Sequence, residues 1–393
     1  MPAVCRYQAV ILDPEDSGYG RTLRETFTQR CAELGLALNQ NVVILDEKNY
    51  DKYFNKRAPA AAVYYGIGRS EACTIVAEKM REGAIPILPA VLDLNQCKYN
   101  LPTVLKRLNA HQVDIHDKCQ DEAASWLMEE LGLIKKQRLV FISYRREDSV
   151  GVAQQLDRAL DARLFQVFLD THSIRRGALF QDVIGDRMSD ADLMIFLDTP
   201  GALSSRWVAE ELSIAHNLGL GVFHITWPEH KPYRELELSK RYSLTLDSFR
   251  DGRAKPGHNA MLTDETVGTI VAEIESFRAQ AFAARRTRVI TSLHRQAEEF
   301  GISSIVRPDR YVEMQVNGQP ALSVYPVVGQ PSTQLMEKVH RESNSDIQAS
   351  LVYDHYGIID ATAQHLQWLN EHVPVKTVPL TEVGQWLSKQ TRR

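Results

Sequence analysis

The stretch RLVFISYRREDS at residues 138–149 decides how the chain reads. Leu139, Val140, Phe141 and Ile142 form a short apolar run, the pattern of a strand buried on both faces of a sheet. It delivers Tyr144, Arg145 and Arg146 to its carboxyl end, and ligands of open α/β sheets bind outside the carboxyl ends of strands. Two guanidinium groups there suit phosphate or pyrophosphate. The plainer alternative is a surface ion pair with Glu147 and Asp148.

Outward from this stretch the α/β rhythm continues. Val152, Leu156, Ala159 and Leu160 recur at helical spacing, and QVFLD at 166–170 is a second strand ending in a carboxylate. The loop THSIRRGALF at 171–180 carries Arg175, Arg176 and Gly177; Phe180, Val183, Ile184 and Met188 then line a helix, and residues 191–197 make a third strand. Ser204 and Ser205 can cap the next helix, RWVAEELSIAHNL. On it Arg206, Glu210, Ser213 and Asn217 share a polar face, with Arg206 and Glu210 an i,i+4 pair. Trp207, Glu211, Ile214 and Leu218 share another, so Glu211 is a carboxylate in an apolar stripe one turn after a tryptophan. Burial there would raise its pKa and mark a site; a glutamate paired with an arginine at the domain surface fits the same periodicity.

FISYRREDS, VFLDTHSIRRG and SSRWVAEEL, in this order, resemble the three signature stretches of Toll/interleukin-1 receptor (TIR) domains. They are most similar to the branch that cleaves NAD+, which includes the axon-degeneration enzyme of animals and bacterial antiphage proteins. The resemblance covers residues 137–230 and implies a flavodoxin-like parallel sheet. It places the catalytic glutamate on Glu211 and assigns substrate contacts or gating to Tyr144, Arg145, Arg146, Asp170, Arg175, Gly177 and Trp207. NAD+ is then the substrate, with no cofactor, and the site is completed when TIR domains assemble head to tail. The implied setting is antiviral defence, with a phage-derived or nucleotide trigger. The competing reading is a non-catalytic adaptor acting through TIR–TIR contacts; adaptors commonly lack a glutamate at this position.

The remaining sequence bounds these readings. A chain of 393 residues with 44% hydrophobic content and a net charge of −4 has the length for two or three domains, and its charge balance argues against nucleic acid as the main partner. No apolar run approaches the ~20 residues of a membrane span, and MPAVCRYQAV is no signal peptide, so the expected location is cytoplasmic. Cys5, Cys31, Cys73, Cys97 and Cys119 are odd in number and widely spaced, which fits reduced thiols and no metal site.

The expected organisation is α/β throughout, with a central TIR domain flanked by two further α/β domains. Residues 1–116 read as a degenerate TIR-like or sensor domain without the W-x-x-x-E pattern. Gly66, Gly68 and Ser70 there form either a phosphate-binding turn or a tight connection. Residues 117–136 read as a helical connector, 137–283 as the TIR domain with an irregular stretch at 228–262, and 284–393 as a small α/β domain. ARRTR at 284–288 reads as a solvated helix face. The last domain contains a hairpin turning at Asn317-Gly318, and its strand-end loops at 328–332 and 354–357 suit ligand sensing. Asp354 and His355 suggest either a second site or a structural role.

Overall fold

The computed structural model describes residues 7–56, 58–113, 120–169, 180–233, 239–252, 260–307, 310–343 and 347–390. The chain divides into two compact units, Met1–Lys136 and Gln137–Arg393.

The first unit runs β1 (Tyr7–Leu12), α1 (Tyr19–Glu33), β2 (Val42–Leu45), α2 (Tyr50–Tyr53), β3 (Ala60–Tyr65), α3 (Glu71–Glu82), β4 (Ile87–Val91), α4 (Cys97–Asn100), β5 (His111–Gln112) and α5 (Asp121–Glu130). Its strands are parallel in the order β2-β1-β3-β4-β5. The segment read as a connector supplies α5, which packs on α1 and β3. Gln120 accepts a hydrogen bond from Tyr65 at 3.0 Å, and Asp121 pairs with buried Arg30. Cys31 and Cys73 are buried and stand outside any disulfide. Burial pushes the Cys73 thiol up to about 11, which makes it a packing group and a poor nucleophile at neutral pH.

The second unit opens with β6 (Leu139–Ser143), α6 (Arg146–Asp161), β7 (Gln166–Leu169), α7 (Phe180–Asp190), β8 (Leu193–Asp198), α8 (Arg206–Leu218), β9 (Gly221–Thr226) and β10 (Ser239–Ser243). All five strands are parallel in the order β10-β9-β8-β6-β7, which counted from the first strand repeats the order of the N-terminal sheet. Alternation along each strand separates two cores. Val140, Ile142, Leu193 and Ile195 face α6 on one side, while Leu139, Phe141, Met194 and Phe196 face α7 and α8 on the other. The stretch at 228–262, expected to be irregular, contains the edge strand β10. Its sequence SKRYS is half exposed because only one neighbour covers it, so the apolar signature of the inner strands is absent.

A single helix, α9 (Asp264–Glu299), then runs for 36 residues, roughly 54 Å, capped by Thr263 and uninterrupted by proline. Ile270, Ile274 and Phe277 belong to the core on the α6 face, and Val289, Leu293 and Ala297 to the core of the next sheet. The boundary drawn at 283/284 falls inside this helix. ARRTR is solvated only in part: Thr287 and Arg288 are exposed, but Arg285 is buried and donates to Ser189 O and Ala191 O, both at 2.8 Å, at the end of α7.

The chain ends with β11 (Ser303–Val306), β12 (Val312–Val316), β13 (Gln319–Val327), α10 (Thr333–Glu342), β14 (Gln348–Tyr353), α11 (Asp360–His372), β15 (Lys376–Pro379) and α12 (Val383–Gln390). The sheet order is β11-β12-β13-β14-β15, with the first two pairings antiparallel and the last two parallel. The expected hairpin joins β12 and β13 through Asn317 and Gly318, both at positive φ.

Charges are buried at the amino edge of the middle sheet. Arg278 Nε donates to Asp192 Oδ2 at 2.6 Å, and Arg138 Nη1 to Glu275 Oε2 at 3.1 Å. Arg278 and Asp192 are each 2% exposed. Removing one partner of such a pair strands the other in low dielectric. Asp192→Ala should therefore cost about 3–5 kcal/mol in urea unfolding, whereas Glu337→Ala at the exposed Glu337–Arg341 pair should stay within about 1 kcal/mol. Equal losses would show that burial does not set the scale.

Candidate active site

The middle sheet reverses direction at β6: the chain leaves this strand for β7 and returns across it to β8. Such a switch point leaves a crevice between the carboxyl ends of the two central strands. Ser143 ends β6 and faces α8. Its Oγ donates to Glu211 Oε2 at 2.5 Å, and Glu211 is 2% exposed. The glutamate belongs to the buried face of α8 with Val208, Leu212, Ala215 and Leu218, so the carboxylate in the apolar stripe does point into the fold. Trp207, 48% exposed, stands at the rim one turn earlier. Ser205 occupies the N-cap position without a capping bond, and the Ser204 hydroxyl donates to Gly201 O instead.

The first motif divides between the two faces. Tyr144 is buried among Val152, Leu156 and Ile195 in the core on the α6 face, away from Glu211. Arg145 sits at the N-cap of α6, paired with Glu147 and, at 3.4 Å, with Asp148. The ion pair that the sequence left open is thus present. Arg146 is half-buried at the start of α6. Asp170, Arg175 and Gly177 lie outside the described residues.

Sequence reasoning missed two polar groupings. Thr199 Oγ1 donates to Asp148 Oδ2 at 2.7 Å and ties the loop after β8 to the first turn of α6. Gly201 belongs to this bridge: a Cβ there would stand 2.2 Å from Arg145 Nη1 and 2.6 Å from Asp148 Oδ2. The second grouping centres on Asp198 at the end of β8. His224 Nε2 lies 2.7 Å from Asp198 Oδ2, His230 Nε2 lies 2.9 Å from Oδ1, and the Tyr233 backbone N–H donates to Oδ2 at 3.0 Å. Strand register places Ser143 beside Phe196 and Phe196 beside His224. His224 therefore lies two strand spacings, roughly 10 Å, from the serine that holds Glu211, and its ring stacks on Phe196. A histidine inside the apolar run GVFHIT and a carboxylate ending LMIFLD were the available signals. Both His230 and His224 direct Nε2 at the carboxylate, and among the described residues no group of three or more His, Cys, Asp and Glu is arranged to hold a metal ion.

In the N-terminal unit the helix after the third strand also has a serine at its N-cap position, though Ser70, unlike Ser205, accepts a bond from the Cys73 N–H. Counted from the two caps, Ala72 and buried Val76 stand where α8 has Trp207 and Glu211. That unit repeats the strand order without the carboxylate.

Burial alone would push the Asp198 carboxyl up, but the bonds from His224, the Tyr233 N–H and His230 outweigh it and hold it below its ordinary 3.8. A depressed carboxyl stabilises the fold above its unfolded pKa and loses that contribution as pH falls through the folded value. Asp198→Asn should cost about 2 kcal/mol at pH 7, and the difference from wild type should shrink as pH falls below 3.8. A penalty independent of pH in paired urea titrations would show that the charge is not what the histidines recognise.

A family model described as a TIR domain matches residues 140–254. No curated protein matches the chain. Among solved structures, the solute-binding protein of an ABC transporter from R. palustris, in complex with 4-hydroxybenzoate, aligns with 84% of this chain and 99% of its own. At 10% identity and a TM-score of 0.16 that likeness carries no argument. No helix among the described residues is long and apolar enough to cross a membrane.

Proposed function

We propose, from the premise that residues 140–254 of this chain are a TIR domain, that the domain cleaves the bond between nicotinamide and ribose in NAD+. The observation that carries this reading is Glu211, a carboxylate buried beside the switch-point crevice and oriented by Ser143. When the glycosidic bond breaks, its electron pair leaves with nicotinamide and positive charge develops on the ribose. A fixed carboxylate in a site closed to water stabilises that charge without reorganising. Water, or a hydroxyl of the acceptor, then completes the transfer of ADP-ribose.

Trp207 at the rim supplies a flat apolar wall for ribose or nicotinamide. The pyrophosphate falls to the arginines at the strand exit. Arg145 and Arg146 are both assigned to it, and Arg145 would have to exchange Glu147 and Asp148 for phosphate oxygens. Asp170, Arg175 and Gly177 are assigned to the loop that gates the site. Because Glu211 is sealed within one chain, catalysis requires the crevice to open, which fits activation by TIR self-assembly. By the family resemblance, the setting is cytoplasmic antiviral defence with a phage-derived or nucleotide trigger. The same burial also supports a second reading, a TIR scaffold in which Glu211 is a structural partner of Ser143.

Turnover decides between them. Glu211→Gln should lower NAD+ cleavage by about 10²-fold or more, while Glu210→Gln, at an exposed pair with Arg206, should change little. Specific activity of the wild-type chain should also rise with protein concentration. Full activity in the Glu211 variant would leave only the scaffold.

A further inference from the structure

The loops after β13 and β14, residues 328–332 and 354–357, stand at the carboxyl ends of neighbouring parallel strands, where an open α/β sheet takes its ligand. Helix α7 of the TIR domain packs against both of them. Gln330 Nε2 donates to Asp186 O at 3.2 Å, Asp186 Oδ1 at 2.9 Å and Ser189 Oγ at 3.2 Å, and its backbone N–H donates to Asp190 Oδ1 at 3.2 Å. The second loop meets α7 backbone to backbone: a Cβ on Gly357 would lie 2.6 Å from Gly185 O, and one on Gly185 3.4 Å from the Gly357 Cα. The hold extends to the end of α8, where Asn217 Nδ2 donates to Tyr356 Oη at 2.6 Å and Arg288 to Asn217 O at 3.0 Å. The two gripped helices pack side by side. One directly follows residues 170–179 in sequence, and the other carries Glu211.

We propose that the C-terminal domain is a clamp on α7, holding the TIR domain in a resting form with a low tendency to associate with a second copy. The inference rests on the self-association part of the reading above and not on NAD+ cleavage. Any ligand that binds the loops after β13 and β14 competes with α7, so its binding and release of the helix are one linked equilibrium. The contact is polar and glycine-lined rather than greasy, with glutamine, serine, aspartate and two bare backbones at its centre. Such a surface separates without exposing a large apolar face, which suits a reversible clamp better than a permanent core.

The test uses the full chain with Gly185→Leu and, separately, Gln330→Ala. Glycine is the weakest helix former apart from proline, so leucine strengthens α7 by itself while its side chain collides with the Gly357 loop. Hydrogen exchange at residues 185–190 should nevertheless become faster in Gly185→Leu, by about tenfold or more, and sedimentation velocity should show association at about tenfold lower concentration than wild type. Gln330→Ala leaves every TIR residue native, should move both readings the same way, and alone decides the matter if the leucine variant does not fold. Unchanged exchange in a folded variant would overturn the clamp, and faster exchange with unchanged association would reduce it to an ordinary packing contact. Neither measurement uses NAD+ turnover, so the clamp and the proposed chemistry fail independently.

Discussion

The TIR sheet is built around one topological constraint: parallel neighbours must be joined by crossovers of a single hand. With β6 at the centre, the chain can reach β7 on one side and β8 on the other only by placing α6 on one face and α7 and α8 on the opposite face. The strand ends part where the direction reverses, and the polar groups of the site collect there because only there does an inner strand end beside open space. Ser143, Glu211, Asp148 and Thr199 all attach to this point. Asp198 and its histidines stand beside it, along the same row of strand ends. The N-terminal unit obeys the same constraint and has the same switch point, but its third-strand helix offers Val76 in place of a carboxylate. Topology supplies the location, and side chains supply the chemistry.

A second constraint acts at the other edge. Helix α9 serves two cores in succession, and the charges it buries, Glu275, Arg278 and Arg285, fasten it to strand starts and to the end of α7. A continuous helix transmits displacement along its length without a hinge, so the TIR sheet and the C-terminal sheet do not rotate as independent bodies about residue 283. Helix α7 is gripped by Gln330 and the Gly357 loop, which links the far sheet to the face on which Glu211 lies.

The inner strands and core helices of the TIR domain were legible in the sequence, because inner parallel strands are short apolar runs and core helices carry apolar stripes. The position of Glu211 was equally legible: one turn of helix brings Trp207, Glu211 and Leu218 near a common line whatever surrounds them. Periodicity could not say whether that line was covered, and only the packing of α8 on the sheet made Glu211 buried and Trp207 a rim residue. The same limit separated Tyr144 from its neighbours, since successive strand residues point to opposite faces and the sheet has a filled core on each. Edge strand β10 stayed hidden because one-sided cover demands no apolar run, and Arg285 looked like part of a solvated face because its partners lie 94 and 96 residues away in sequence. Local pattern determined which elements form and which residues share a face. Tertiary structure decided which faces are covered and which charges meet, because burial and long-range pairing are properties of two segments at once and cannot be written in either alone.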